Sequence, residues 1–92
     1  MIRSFNHKGL KRLFEDGDHR GVPTKLAEKL TRRLDAINTA DDVIDLILPG
    51  FNLHELKGNR RRTWSVTVTG NWRITFKFTD GDASDVDFED YH

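Results

Sequence analysis

Three runs of alternating apolar and polar residues, joined by two tight-turn dipeptides, constrain this chain more than any other feature. Trp64, Val66 and Val68 alternate with Ser65, Thr67 and Thr69. Trp72, Ile74, Phe76 and Phe78 alternate with Arg73, Thr75, Lys77 and Thr79, and Val86 and Phe88 carry the apolar side of a third run. A period of two puts the apolar members on one face of a strand and the polar members on the other. Gly70-Asn71 and Asp80-Gly81 have the composition of two-residue hairpin loops, so the runs predict three consecutive antiparallel strands with Arg73 and Lys77 on one polar face. Phe51, Asn52 and Leu53 begin a further alternating stretch, and Ile2 to Phe5 reads as an edge or first strand.

The preceding half changes period. Leu10, Leu13 and Phe14 fall on one helical stripe, with Gly17 placed to accept the left-handed conformation that ends a helix. Pro23 suits a first helical turn, and Leu26, Ala27, Leu30, Leu34 and Ile37 line one face of a second helix. Thr39 is expected to cap a short third helix whose apolar part is Val43, Ile44, Leu46 and Ile47, ended by Pro49-Gly50. Helices followed by hairpin-linked strands predict an α+β fold, a compact single domain over residues 1–92, with N-terminal helices packed on one face of a mainly antiparallel sheet and the other face left open. No internal repeat or linker divides the chain.

Cysteine is absent, so packing rather than disulfides or thiolate metal sites must hold the fold. Met1 to Gly9 lacks the apolar core of a signal peptide and there is no apolar run of about 18 residues, which predicts a cytoplasmic chain with no membrane partner. Fifteen Lys and Arg balance fifteen Asp and Glu, yet the charges are segregated. From His54 to Lys77 the cations Lys57, Arg60, Arg61, Arg62, Arg73 and Lys77 face the single acid Glu55. From Phe78 to His92 there are six acids and no Lys or Arg. The first segment can attract phosphate and the second repel it, which a net charge of zero conceals.

Cleaving RNA without a metal requires taking a proton from a 2′-hydroxyl, stabilising charge on the phosphate, and protonating the departing 5′-oxygen. Histidine, with an unperturbed pKa of roughly 6.5, can take or give that proton near neutrality. His54 and His92 are the candidates, and the sequence leaves open which is base and which is acid. Arg73 offers a planar fork and Lys57 a point charge for phosphate oxygens. Parity places Tyr91 opposite Val86 and Phe88, on the polar side, and among the carboxylates of the last strand only Asp90 has a chemical neighbour, His92, which it can orient. His7 and His19 read as ordinary structural or surface groups, Trp64 and Trp72 as core, and the Arg60-Arg61-Arg62 run as a solvated loop able to recruit RNA. No His-Glu-x-x-His motif, glycine-rich phosphate loop or nucleophile elbow occurs, so neither a metal nor another cofactor is expected.

Several motifs resemble those of the HigB toxins of the host-inhibition-of-growth toxin–antitoxin systems, and the resemblance spans essentially the whole chain. They are Met1-Ile2-Arg3-Ser4-Phe5, His7-Lys8-Gly9-Leu10, Leu53-His54-Glu55-Leu56-Lys57-Gly58-Asn59-Arg60, Asn71-Trp72-Arg73-Ile74-Thr75-Phe76 and Glu89-Asp90-Tyr91-His92. The resemblance implies a RelE-like fold and a metal-independent endoribonuclease that cuts messenger RNA in the ribosomal A site, leaving a 2′,3′-cyclic phosphate and a 5′-hydroxyl. It implies the catalytic set His54, Lys57, Arg73, Asp90, Tyr91 and His92, with Asn71 as an RNA contact beside Arg60, Arg61, Arg62 and Lys77. The implied partners are the ribosome, its message and a helix-turn-helix antitoxin of the HigA kind, through which alone operator DNA would be met. Two rival readings share the sequence: a ParE-like poison of DNA gyrase, against which Asp90-Tyr91-His92 speaks, and a non-catalytic RNA- or ribosome-binding module.

Overall fold

Helix α1 (Lys8–Asp16) opens on His7, whose Nδ1 accepts the backbone N–H of Leu10 at 3.1 Å, and closes on Gly17 in the left-handed region at φ 69°. The computed structural model describes residues 1–90; Tyr91 and His92, both assigned to the catalytic set above, lie outside the described residues. Gly9 has no room for a side chain, because a Cβ there would stand 2.2 Å from the carbonyl oxygen of Gly21. The His-Lys-Gly-Leu motif therefore caps the helix and lets it cross the following turn closely. Helix α2 (Ala27–Thr39) starts later than its apolar stripe suggests, since Thr24–Leu26 forms a 3₁₀ turn first, and it buries Leu30, Leu34 and Ile37.

The expected third helix is a 3₁₀ turn, Val43–Leu46, and its cap is Asp42 rather than Thr39. Asp42 accepts from the N–H of Ile44 while Asp45 reaches back to the N–H of Asp42, a reciprocal capping box. Thr39 instead ends α2, its hydroxyl donating to the Asp35 carbonyl. Four residues turn too tightly to bury one continuous stripe. Only Leu46 enters the core, while Ile44 is 62% and Ile47 71% exposed.

Strands β1 (His54–Glu55), β2 (Thr63–Thr69), β3 (Trp72–Thr79) and β4 (Asp82–Asp90) form an antiparallel sheet in the order β1-β2-β3-β4. Both predicted hairpins are present, and the β3–β4 loop holds Asp80 and Gly81 at φ 52° and 82°, the pair of positive angles that the hairpin twist favours. The stretch from Phe51 does not extend into a long strand: Asn52 takes φ 48° and pairing is confined to His54 and Glu55. The opening segment is likewise not a continuous strand. Ile2 and Phe5 make single parallel bridges to Ala83 and Val86, with the β4 bulge at Asp85, φ 52°, between those two partners.

Leu10, Leu30, Leu34, Ile37, Leu46, Val66, Ile74, Phe76 and Val86 are all fully inaccessible and join one hydrophobic cluster between helices and sheet. Each such side chain contributes about 1.5–3 kcal/mol by leaving water. The architecture is the α+β arrangement expected, with the helices on one side of the sheet. On the opposite side Arg60, in the connection from β1 to β2, reaches Glu89 of β4 and covers Ser65 and Thr75, while Lys77 and Thr79 stay exposed as expected of an open face. Among the described residues no helix is long and apolar enough to cross a membrane.

Candidate active site

Strand register brings the polar positions into two adjoining rows. His54 pairs with Ser65, Ser65 with Thr75 and Thr75 with Asp87; in the next row Thr67 pairs with Arg73 and Arg73 with Glu89. Beside these rows lies a cleft of about 600 Å3 lined by residues from three stretches of chain: Asn52, His54 to Lys57 and Arg60; Ser65 and Thr67; and Gly70 to Arg73. His54, Lys57, Arg60, Asn71 and Arg73 thus meet at one place although up to 19 positions separate them in sequence.

His54 is exposed, and its Nδ1 lies 3.0 Å from the carbonyl oxygen of Asn52. A carbonyl oxygen only accepts, so in the neutral ring the proton sits on Nδ1 and Nε2 is the basic nitrogen. The segment that carries His54 is anchored from beneath by Arg33 of α2, a residue the sequence reading passed over. Its Nε donates to the Thr67 carbonyl at 2.7 Å, its Nη2 to the Gly50 carbonyl at 3.3 Å, and its guanidinium lies 4.5 Å over the Phe51 ring. Burial pushes the Arg33 pKa down, yet an arginine so hydrogen-bonded remains a cation. Thr67 in turn donates its backbone N–H to the Phe51 carbonyl at 2.7 Å, so the approach to the cleft is tied to β2 twice.

Glu89 is the second omission, and it corrects the expectation that Asp90 alone among the last strand's carboxylates has a chemical neighbour. Both its oxygens accept from the fork of Arg60, at 2.8 and 2.5 Å, and one also accepts the Thr75 hydroxyl at 2.5 Å. Arg73 Nη2 stands 4.0 Å away. These donors outweigh burial and hold the Glu89 carboxyl at about 2, below its ordinary range, while the same pair raises the Arg60 pKa. Arg60 belongs to the connection between β1 and β2 yet bonds β4, so its chain crosses the polar face. Ser65 and Thr75, outward-pointing by alternation, are in consequence 0% and 1% exposed. Nothing in the spacing of Arg60 and Glu89, 29 residues apart, announced this clamp; only the register of Glu89 opposite Arg73 does.

The remaining assignments scatter. Arg61 and Arg62 line a separate hollow with Glu55 and Gly58, where Arg62 donates its backbone N–H to Glu55 at 2.8 Å. Lys77 stands nearer the far end of β3, 3.5 Å from Asp85. Asp90 pairs in register with Trp72, and alternation sets it on the side of β4 opposite Glu89. Trp72 stacks on Phe88 at 4.6 Å, as a core aromatic, while also bordering the cleft. His7 is the helix cap described above. Among the described residues no three His, Cys, Asp or Glu side chains converge as metal ligands do.

A family profile described as the RelE-like toxin of type II toxin–antitoxin system HigB matches residues 3–92. The chain is 51% identical to Endoribonuclease HigB of Proteus vulgaris over 92 residues, the full length of both. It is 33% identical over 85 residues to Toxin HigB-1 of Vibrio cholerae serotype O1, covering 90% of each chain. An uncharacterized protein of Haemophilus influenzae is 27% identical over 84 residues, 89% of this chain and 83% of that one.

Proposed function

The chain belongs to the HigB-like, RelE-like toxins of type II toxin–antitoxin systems, and from that premise we propose that it is an endoribonuclease cutting messenger RNA in the ribosomal A site. Membership in such a system implies an antitoxin partner. In our reading that partner is a helix-turn-helix protein of the HigA kind, operator DNA is met only through it, and the toxin works in the cytoplasm on ribosomes and their messages. The name of the Proteus vulgaris relative supports the activity. The observation that carries the reading is the gathering of His54, Lys57, Asn71 and Arg73 in one cleft.

His54 acts as the general base. Its Nε2 takes the proton of the 2′-hydroxyl, and the 2′-oxygen attacks the adjacent phosphorus in line with the 5′-oxygen. Negative charge grows on the non-bridging oxygens, where Arg73 supplies a fork and Lys57 a point charge. As the bond from phosphorus to the 5′-oxygen breaks, His92 gives that oxygen a proton, and Asp90 and Tyr91 complete the proposed catalytic set. The products are a 2′,3′-cyclic phosphate and a 5′-hydroxyl, and no metal is required. Asn71, at the β2–β3 loop and on the cleft wall, contacts the bases, while Arg61, Arg62 and Lys77 meet the flanking backbone. The ribosome holds the codon in attack geometry, with the 2′-oxygen in line with the bond that breaks.

The test adds purified protein to translating ribosomes on a defined message and maps new RNA ends by primer extension. Wild type is compared with His92→Ala and with naked RNA. Cuts at A-site codons that need both the ribosome and His92 support the reading. Growth arrest in cells without any cut in this assay overturns it in favour of a gyrase poison or a binding-only module.

A further inference from the structure

The Arg60–Glu89 clamp lies between the cleft and the rest of the polar face, and neither residue has a step in the reaction above. Arg60 is a cation at the cleft wall, so attraction of RNA phosphate is its obvious use. The geometry argues otherwise. Both terminal nitrogens of its guanidinium are already spent on the two oxygens of one carboxylate. A phosphate seeking the same bidentate fork would have to break a charge-assisted pair and leave Glu89 facing it as a like charge. Glu89 is meanwhile in register with Arg73, 4.0 Å from its Nη2, and fixed by the buried Thr75 hydroxyl.

Resting on the nuclease reading, we propose that Glu89 is a positioning residue for the cleavage step, and that Arg60 acts through it rather than on the RNA. One carboxylate stands between two guanidinium groups and screens their mutual repulsion, which lets Arg73 face the cleft at close range to Arg60. The same pair draws the connection after β1 across the sheet, and Lys57, three residues before Arg60, is set by that connection. Loss of the carboxylate brings the two arginines into repulsion and loosens the strap, so that Arg73 and Lys57 stay beside the phosphate but out of alignment with it. Held at about 2, the Glu89 carboxyl stays ionised at every pH at which the enzyme would act. It transfers no proton and adds no limb to the pH–rate profile.

The experiment measures cleavage of a defined message on programmed ribosomes for wild type, Glu89→Gln, Arg60→Ala, the double variant and Arg73→Ala, with ribosome affinity followed against salt. Glu89→Gln and Arg60→Ala are expected to lower kcat by about tenfold to a hundredfold, the scale of an ångström-sized misplacement, with KM within about twofold. The double variant is expected to be no worse than either single one. Arg73→Ala lowers the slope of log affinity against log salt by about one phosphate's worth, roughly 0.7–0.9, and Arg60→Ala leaves that slope unchanged. Wild-type kcat in Glu89→Gln, or a reduced salt slope in Arg60→Ala, overturns the positioning role while wild-type cleavage leaves the nuclease reading standing. An inactive wild type overturns both. Should Glu89→Gln fail to fold, Arg60→Ala, at a half-exposed arginine, decides through its kcat and salt slope.

Discussion

On one side of the sheet Val66, Ile74, Phe76 and Val86 are buried with Leu10, Leu34 and Ile37 in a single apolar cluster; on the other, Ser65 and Thr75 are as inaccessible, yet they lie under a polar strap tied by Arg60 and Glu89. The two faces exclude water by different physics. The helix side gains free energy from apolar area and tolerates changes that conserve volume. The strapped side depends on a few charge-assisted hydrogen bonds whose partners come from distant parts of the chain. A difference of this kind separates what a site is built on from what it is built with.

The comparison breaks most visibly in the core. Phe76→Ala should cost about 3–5 kcal/mol, read as a shift of the urea or thermal midpoint, because Phe76 is fully buried and a cavity remains. A cost below about 1 kcal/mol would mean that the helix side does not carry the stability.

Acid sharpens the contrast next. The Glu89 carboxyl is lowered from 4.5 to about 2, so its stabilisation is fully present above the ordinary carboxyl range and is lost as pH falls from about 5 towards 2. With Arg60 half-exposed, we expect about 1–3 kcal/mol from this effect. Stability measured against pH should therefore fall less steeply on the acid side in Glu89→Gln than in wild type. Equal slopes would remove the clamp from the account. The smallest effect belongs to neither face: Arg32, 3.9 Å from Glu28 on the solvent side of α2, should change stability by less than about 0.5 kcal/mol when replaced by Ala.

The contrast also explains what could be read from the residues beforehand. Periodicity reports burial, so the α1 and α2 stripes, three strands and both hairpins were legible. It failed where local geometry overrides burial. Asp42 and Asp45 start a 3₁₀ turn that ends at Leu46 and leaves Ile47 exposed, Asn52 breaks the strand before His54, and the bulge at Asp85 lies between the two bridges of the opening segment. Of the site, His54, Lys57, Asn71 and Arg73 were found through residue chemistry and resemblance, and the fold brings them together. Arg33, Thr75 and Glu89 were missed because each acts through partners 14 or more residues away, and no local pattern encodes such a pairing. Arg60 was grouped with Arg61 and Arg62 for the same reason, although the three side chains meet different surroundings.

Arg73 and Ile74 are neighbours on β3 that point to opposite sides, and comparing their variants tests the division between the faces most directly. Cleavage of A-site message on programmed ribosomes would be timed for wild type, Arg73→Ala and Ile74→Val, alongside the melting temperature of each. The account predicts that Arg73→Ala loses about a hundredfold or more in rate, as removal of a charge-stabilising group does, with its fold retained. Ile74→Val should keep the wild-type rate while losing about 0.5–1.5 kcal/mol of stability. Cleavage that survives Arg73→Ala, in a folded protein, would contradict the assignment of the cleft as the place where RNA is cut.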